Sequence, residues 1–150
     1  DAVLQDDVPS IKKMTREPNN YFPYRYGHAF WMVPDRISPE VDIFSFDKKN
    51  TRKVQLKNYW GQFNEQEKIG LNKSTLFGPD FSKDFYIFAL EWRPGKLIWK
   101  INGITVKKET KGVPEEPLYM IINSGLQDDI NEKKLPGKMH IDWVEAYQEN

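Results

Sequence analysis

The chain of 150 residues contains no cysteine, which excludes disulfides and any thiolate metal site. It has two histidines, His28 and His140, far apart in the sequence. That pattern lends no support to zinc. Lysine plus arginine and aspartate plus glutamate number 22 each, so no net positive field draws in nucleic acid or an anionic membrane surface. No apolar run approaches the roughly 18 residues of a membrane span. No signal peptide is visible at Asp1, where a mature secreted chain and a cytoplasmic one would read alike. Also missing are an amphipathic helix of useful length, an internal repeat, a low-complexity tract and an interdomain linker. The length suits one domain, residues 1–150, with a real core.

What the chain has in quantity is aromatic side chain, at 14% of its residues. Aromatics favour β-sheet cores, and flat rings also stack on sugars, so core and cleft both compete for them. Ala29–Val33 is a continuous apolar run closed by Pro34, as in a buried strand. Strands are further predicted over Val41–Phe46, Lys53–Tyr59, Phe85–Trp92, Lys96–Ile101, Ile104–Lys108, Leu118–Asn123 and Lys138–Tyr147. Gly61–Ser74 is polar and reads as a loop. Asn102-Gly103 is a strong hairpin signal because both turn positions need positive φ. Many strands punctuated by Gly, Pro and Asn indicate an all-β chain built as an antiparallel β-sandwich.

The segment Glu40-Val41-Asp42-Ile43-Phe44-Ser45 carries the chemistry. Side chains alternate along a strand, so Glu40 and Asp42 point the same way while the apolar residues between them point into a core. Acids held side by side over a buried face are unfavourable and commonly serve a function. As charges on an exposed edge strand they would need no further explanation.

The residues around this strand resemble glycoside hydrolase family 16, the laminarinase, agarase and carrageenase group. Ala29–Pro34 is similar to the family's "AFWLLP", and Glu40–Ser45 to its catalytic E-x-D-x-x-E. Asp84–Pro94 is similar to "DFHTYALEWTP", Lys96–Gly103 to "KITWYVDG", Pro117–Gly125 to "PMYLILNLA" and Pro136–Gln148 to "PGTMEVDYVRVYQ". These pieces occur in the family's order. The resemblance implies a concanavalin A-like jelly roll with a sugar cleft, acting as a retaining endo-glycosidase on a β-glucan or galactan. It also implies a polysaccharide partner, a monomer, and a secreted, periplasmic or cell-surface location.

Retaining hydrolysis needs a nucleophile and an acid/base carboxyl roughly 5–5.5 Å apart. Simple alternation would put position 44 on the cleft face; a β-bulge would bring position 45 there instead. Carried over by position, Glu40 is the nucleophile, Asp42 the assisting acid and Ser45 the acid/base. A serine hydroxyl has no usable acidity near neutral pH, so cleavage is expected to be impaired. Two origins fit: a deliberate Glu-to-Ser replacement that traps substrate, or a natural relative that binds sugar without cutting. Asp47 is a poor substitute acid because it lies beyond the strand's expected end.

The resemblance further names Trp31, Trp60, Asn123 and His28 as substrate contacts. From the residues alone, Trp31 could equally be core, Trp60 could pack at a strand end, and His28 could be a surface histidine. Trp92, Trp99 and Trp143 are expected to pack. Arg36 and Arg52 keep a sulfated galactan open. No cofactor is expected; the family's structural calcium is allowed for, with Asp142 as a ligand. Family members also carry a further stretch where Tyr26-Gly27 here runs directly into His28. The expectation is therefore a domain lacking N-terminal or internal strands, notably between Gly27 and His28.

Overall fold

The computed structural model describes residues 27–35, 38–46, 50–61, 70–125 and 139–148. Contacts divide the chain into two compact units, Tyr24–Gln127 and a second formed by Asp1–Pro23 with Asp128–Asn150. The first contains eight strands: β1 Gly27–Val33, β2 Glu40–Phe46, β3 Lys53–Trp60, β4 Gly70–Phe77, β5 Phe88–Arg93, β6 Lys96–Ile101, β7 Ile104–Glu109 and β8 Tyr119–Gly125. They form a five-stranded sheet in the order β4-β3-β2-β1-β8 and a three-stranded sheet in the order β5-β6-β7. Every pairing is antiparallel, and no helix occurs among the described residues.

The turns follow from their residues. Asn102 and Gly103 have φ of 48° and 79°, the paired left-handed conformation a two-residue hairpin demands. Asn102 also exchanges hydrogen bonds with Ile87, accepting from its amide through Oδ1 and donating its own amide to the Ile87 carbonyl. Between β5 and β6, Pro94 precedes Gly95 at φ 70°, the order a type II turn requires.

The two sheets bury Val41, Val54, Leu56, Leu97 and Trp99 between them. Phe44, Phe46, Phe81 and Phe88 pack against that cluster. Phe44 and Phe88 bring their ring centroids to 4.6 Å, Phe44 and Phe46 to 5.3 Å. Tilted and edge-on ring pairs of this kind add about 0.5–1.5 kcal/mol each beyond simple burial. The expectation that Trp99 packs is met, since it is 1% exposed.

Three sequence expectations are corrected. Residues 70–74 belong to β4 and not to a loop, because each pairs with β3, from Trp60↔Gly70 to Leu56↔Ser74. The strand was hidden by its polar composition, which suits an edge whose alternate residues are exposed. Phe85–Ile87 precedes β5 without joining its ladder. Residues 139–148, in the second unit, form no strand, and Ile141, Trp143 and Tyr147 are exposed. Trp92 is 36% exposed, with its indole donating to the Pro114 carbonyl at 2.9 Å. β1 runs unbroken through Gly27 and His28 and pairs with β8 along its whole length.

One irregularity positions the site. Asp42 pairs with Lys57 but Ser45 with Gln55, so three steps on β2 face two on β3. On the other side Trp31 pairs with Asp42 and Phe30 with Phe44. Ile43 is the extra residue on both sides, a β-bulge. Phe44 and Phe46 therefore turn to the core, and Ser45 turns to the same face as Asp42.

Candidate active site

The face of the five-stranded sheet turned away from the three-stranded sheet collects the functional side chains. Cross-strand partners share a face. Glu40 is paired with Tyr59, Asp42 with Lys57 and Ser45 with Gln55. On the β1 side, Trp31 stands opposite Asp42 and Ala29 opposite Ser45. Asn123 stands opposite Ala29 on β8. Glu40, Asp42, Ser45, Trp31 and Asn123 are thus brought together on one face.

At its centre is a closed polar triangle. The Lys57 ammonium donates to Asp42 Oδ2 at 3.1 Å and to Ser45 Oγ at 2.8 Å. Ser45 Oγ in turn donates to Asp42 Oδ2 at 3.3 Å. Lys57 is 1% exposed, Asp42 4% and Ser45 8%. A buried charge is tolerated only when paired and hydrogen-bonded, and here one cation meets one carboxylate while the hydroxyl both accepts and donates. The triangle holds no proton of carboxylic acidity at position 45. A proton would have to leave an ammonium already engaged by Asp42.

The triangle is tied to the core beneath it. The Trp99 indole donates to the Asp42 carbonyl at 2.9 Å, beside the bulge. Lys107 lies 4.8 Å from the Trp99 ring centroid and donates to the Leu56 carbonyl at 3.3 Å. It is turned inward by a second bulge, where Trp99 pairs with Lys107 but Lys100 with Thr105. Burial lowers the Lys107 pKa from its usual value, and Glu109 opposes that shift.

Trp31 is fixed by its indole, which donates to Asn123 Oδ1 at 2.9 Å. The bond holds the ring against β8 on the face that Asp42 shares. Two further residues named from the sequence are not brought there. His28 alternates with Trp31 and lies on the opposite face with Phe30; its Nδ1 is 2.8 Å from Ser124 Oγ. Burial lowers its pKa. Trp60 alternates with Lys57 and Tyr59, so it lies on the core-facing side of β3. Its ring packs against Gly70 and Gly112, and a Cβ at either glycine would overlap it. Neighbouring Asn58 donates to the carbonyls of Lys111 and Gly112 at 2.9 and 3.0 Å, tying down the same corner.

Lys57 is the functional residue that sequence reading missed. In Lys53–Trp60 it looks like one more solvent lysine alternating with Val54 and Leu56. Counting back from the Asp47–Arg52 turn would have placed it across from Asp42. Arg52 is exposed in a turn, while Arg36 and Asp47 lie outside the described residues. Asp142 is exposed. Among the described residues no three His, Cys, Asp or Glu side chains gather to hold a metal ion, so Asp142 has no such companions there for a calcium.

The comparisons with known proteins agree with this geometry. A β-glucanase of Paenibacillus macerans is 32% identical over 84 residues, 56% of this chain and 33% of that protein. The chain thus spans about a third of the length of that relative. The solved structure of an endo-β-1,3-glucanase from Pyrococcus furiosus matches with a TM-score of 0.51 at 26% identity, covering 66% of this chain and 46% of that one. The κ-carrageenase of Pseudoalteromonas carrageenovora, solved with an oligotetrasaccharide of κ-carrageenan, matches with a TM-score of 0.53 at 18% identity. It covers 69% of this chain and 45% of that one, and shares the fold. The architecture is the antiparallel jelly-roll sandwich of these enzymes. The family model for glycosyl hydrolases family 16 matches residues 26–145, and the chain belongs to that family.

Proposed function

We propose that the chain carries the cleft of a retaining endo-glycosidase for a β-linked polysaccharide, with cleavage suppressed at its acid/base position. The names of the relatives favour a β-glucan and leave a galactan as the second choice. Glu40 is the nucleophile, Asp42 the assisting acid, and Ser45 stands where the leaving oxygen would receive its proton. Trp31, held by Asn123, offers a flat surface for a sugar ring. Such polymers are met outside the cytoplasm, and there we place the protein: secreted, periplasmic or on the cell surface.

The observation that supports this reading is the Ile43 bulge, which puts Ser45 on the face of Glu40 and Asp42 with its hydroxyl engaged by Lys57. A missing general acid slows hydrolysis about 10²–10⁴-fold when the leaving group is a sugar alcohol. It matters little when the leaving group departs without a proton. A dinitrophenyl β-oligoglucoside should therefore be cleaved far faster than the polysaccharide, and azide should accelerate turnover by yielding the β-glycosyl azide. Glu40→Gln should abolish both. The engaged serine also favours a second reading, a non-catalytic binding protein. Glycan binding without dinitrophenol release would select it; no binding to any glycan on an array would sink both.

A further inference from the structure

Resting on that reading of position 45, we propose that Lys57 is a positioning residue that locks the site in its non-cleaving state. Restoring a carboxyl at position 45 alone would then not restore a general acid. Lys57 stands across β3 from Asp42, almost wholly buried, and its one ammonium serves both Asp42 Oδ2 and Ser45 Oγ. A general acid must hold a proton near neutral pH. Two neighbouring carboxyls achieve this by repulsion, which pushes one of the pair upward. A buried ammonium in hydrogen-bond contact with position 45 does the opposite for a carboxyl placed there, because it favours the ionised form. Ser45 and Lys57 are thus a matched pair. The neutral hydroxyl adds no charge beside Asp42, whereas a carboxyl at 45 would be held ionised by Lys57 and unable to donate.

Among the described residues, the charged and titratable groups on this face are Glu40 and Asp42 on β2, Lys53, Lys57 and Tyr59 on β3, and Tyr119 on β8. Lys73 on β4 stands across from Lys57. From the core side Lys107 on β7 reaches the Leu56 carbonyl beside Lys57. On β1 the neighbours are Ala29 and Trp31, which do not titrate. Glu40 and Asp42 would raise the pKa of a carboxyl placed at 45, and the lysines would lower it. Lys57, 2.8 Å from the present hydroxyl, is the nearest of these placed by a measured contact, and it decides the sign.

The test uses the full chain with glutamate carrying a ¹³C-labelled side-chain carboxyl. In Ser45→Glu the introduced carboxyl, assigned by difference from the parent spectrum, should titrate below the usual glutamate value of about 4.3. Adding Lys57→Gln should raise it by about 1 unit or more. If Ser45→Glu/Lys57→Gln does not fold, the single variant still decides, together with Ser45→Glu/Lys57→Arg, which keeps the cation and should keep the value low. Hydrolysis of β-1,3-glucan near neutral pH should be at least about tenfold faster in Ser45→Glu/Lys57→Gln than in Ser45→Glu, the fold-change that one unit of pKa represents. An introduced carboxyl titrating at or above the usual value with Lys57 present overturns the proposal, as does measurable hydrolysis at equal rates by the two variants. The titration shift without cleavage by either variant would uphold the role of Lys57 and overturn the glycosidase reading instead.

Discussion

The two faces of β2 are built from neighbouring residues and have almost nothing else in common. Toward the three-stranded sheet, Phe44 and Phe46 join Phe81 and Phe88 in an aromatic cluster. Toward the other side, Asp42 and Ser45 form a buried, hydrogen-bonded triangle with Lys57. The first face is held by many weak, non-directional contacts and tolerates exchange among apolar residues of similar volume. The second depends on one ammonium at hydrogen-bond distance from two partners and tolerates very little. The bulge at Ile43 separates them: with the same residues in a regular strand, period-two alternation would send Phe44 to the polar face and Ser45 to the core.

The most severe way to break this contrast is Phe44→Asp, which sets a carboxylate among the aromatic rings of the core face. A loss of about 5 kcal/mol or more is expected, seen as the absence of a cooperative thermal transition; a sharp melt near that of the parent would refute the facing given to Phe44. Next comes Lys57→Ala, which removes the ammonium that lies 3.1 Å from the buried Asp42 carboxylate and should cost about 3–5 kcal/mol in urea unfolding. Pairing Lys57→Met with Asp42→Leu should recover most of it, because both members of the buried ion pair are then replaced by apolar groups. A smaller effect is expected at the corner of the core face. Gly112→Ala places a methyl group in the Trp60 ring and strains a residue at φ 62°, for about 2 kcal/mol. A neutral result would mean that the Trp60 ring moves freely off that face.

The smallest effect concerns His28, on the far side of β1 from Trp31. Burial holds its folded-state pKa below the usual 6.5. As pH falls through 6.5 the unfolded chain takes up the proton first, so stability drops until the lower folded-state pKa is passed. The parent should therefore lose stability on acidification relative to His28→Asn, with the two curves parallel above pH 6.5. A parent that instead gained stability relative to the variant would place His28 beside an anion.

Much of this was legible in advance. The spacing of Glu40 and Asp42 announced the cleft strand, and the resemblance of Glu40–Ser45 to a six-residue catalytic motif announced its bulge, because positions 40 and 45 can share one face only with an insertion. Asn102-Gly103 announced its hairpin because few residues adopt two consecutive positive φ values. β4 was not legible, since Asn72, Lys73, Ser74 and Thr75 carry no apolar signal and its pairing with β3 is what makes it a strand. Nor were the facings of His28 and Trp60, which follow from alternation only after the register is known.

The sequence by itself determined most of the strands, the polar motif on β2 and the serine that stands in place of an acid. These depend on residue type and short spacing, which local periodicity records. Only the tertiary structure decided what that serine touches. Lys57 lies 15 residues from Asp42 along the chain, and nothing local distinguishes it from a solvated lysine. Cross-strand pairing buries its ammonium against a carboxylate and a hydroxyl, and that placement turns an ordinary charge into the centre of the site.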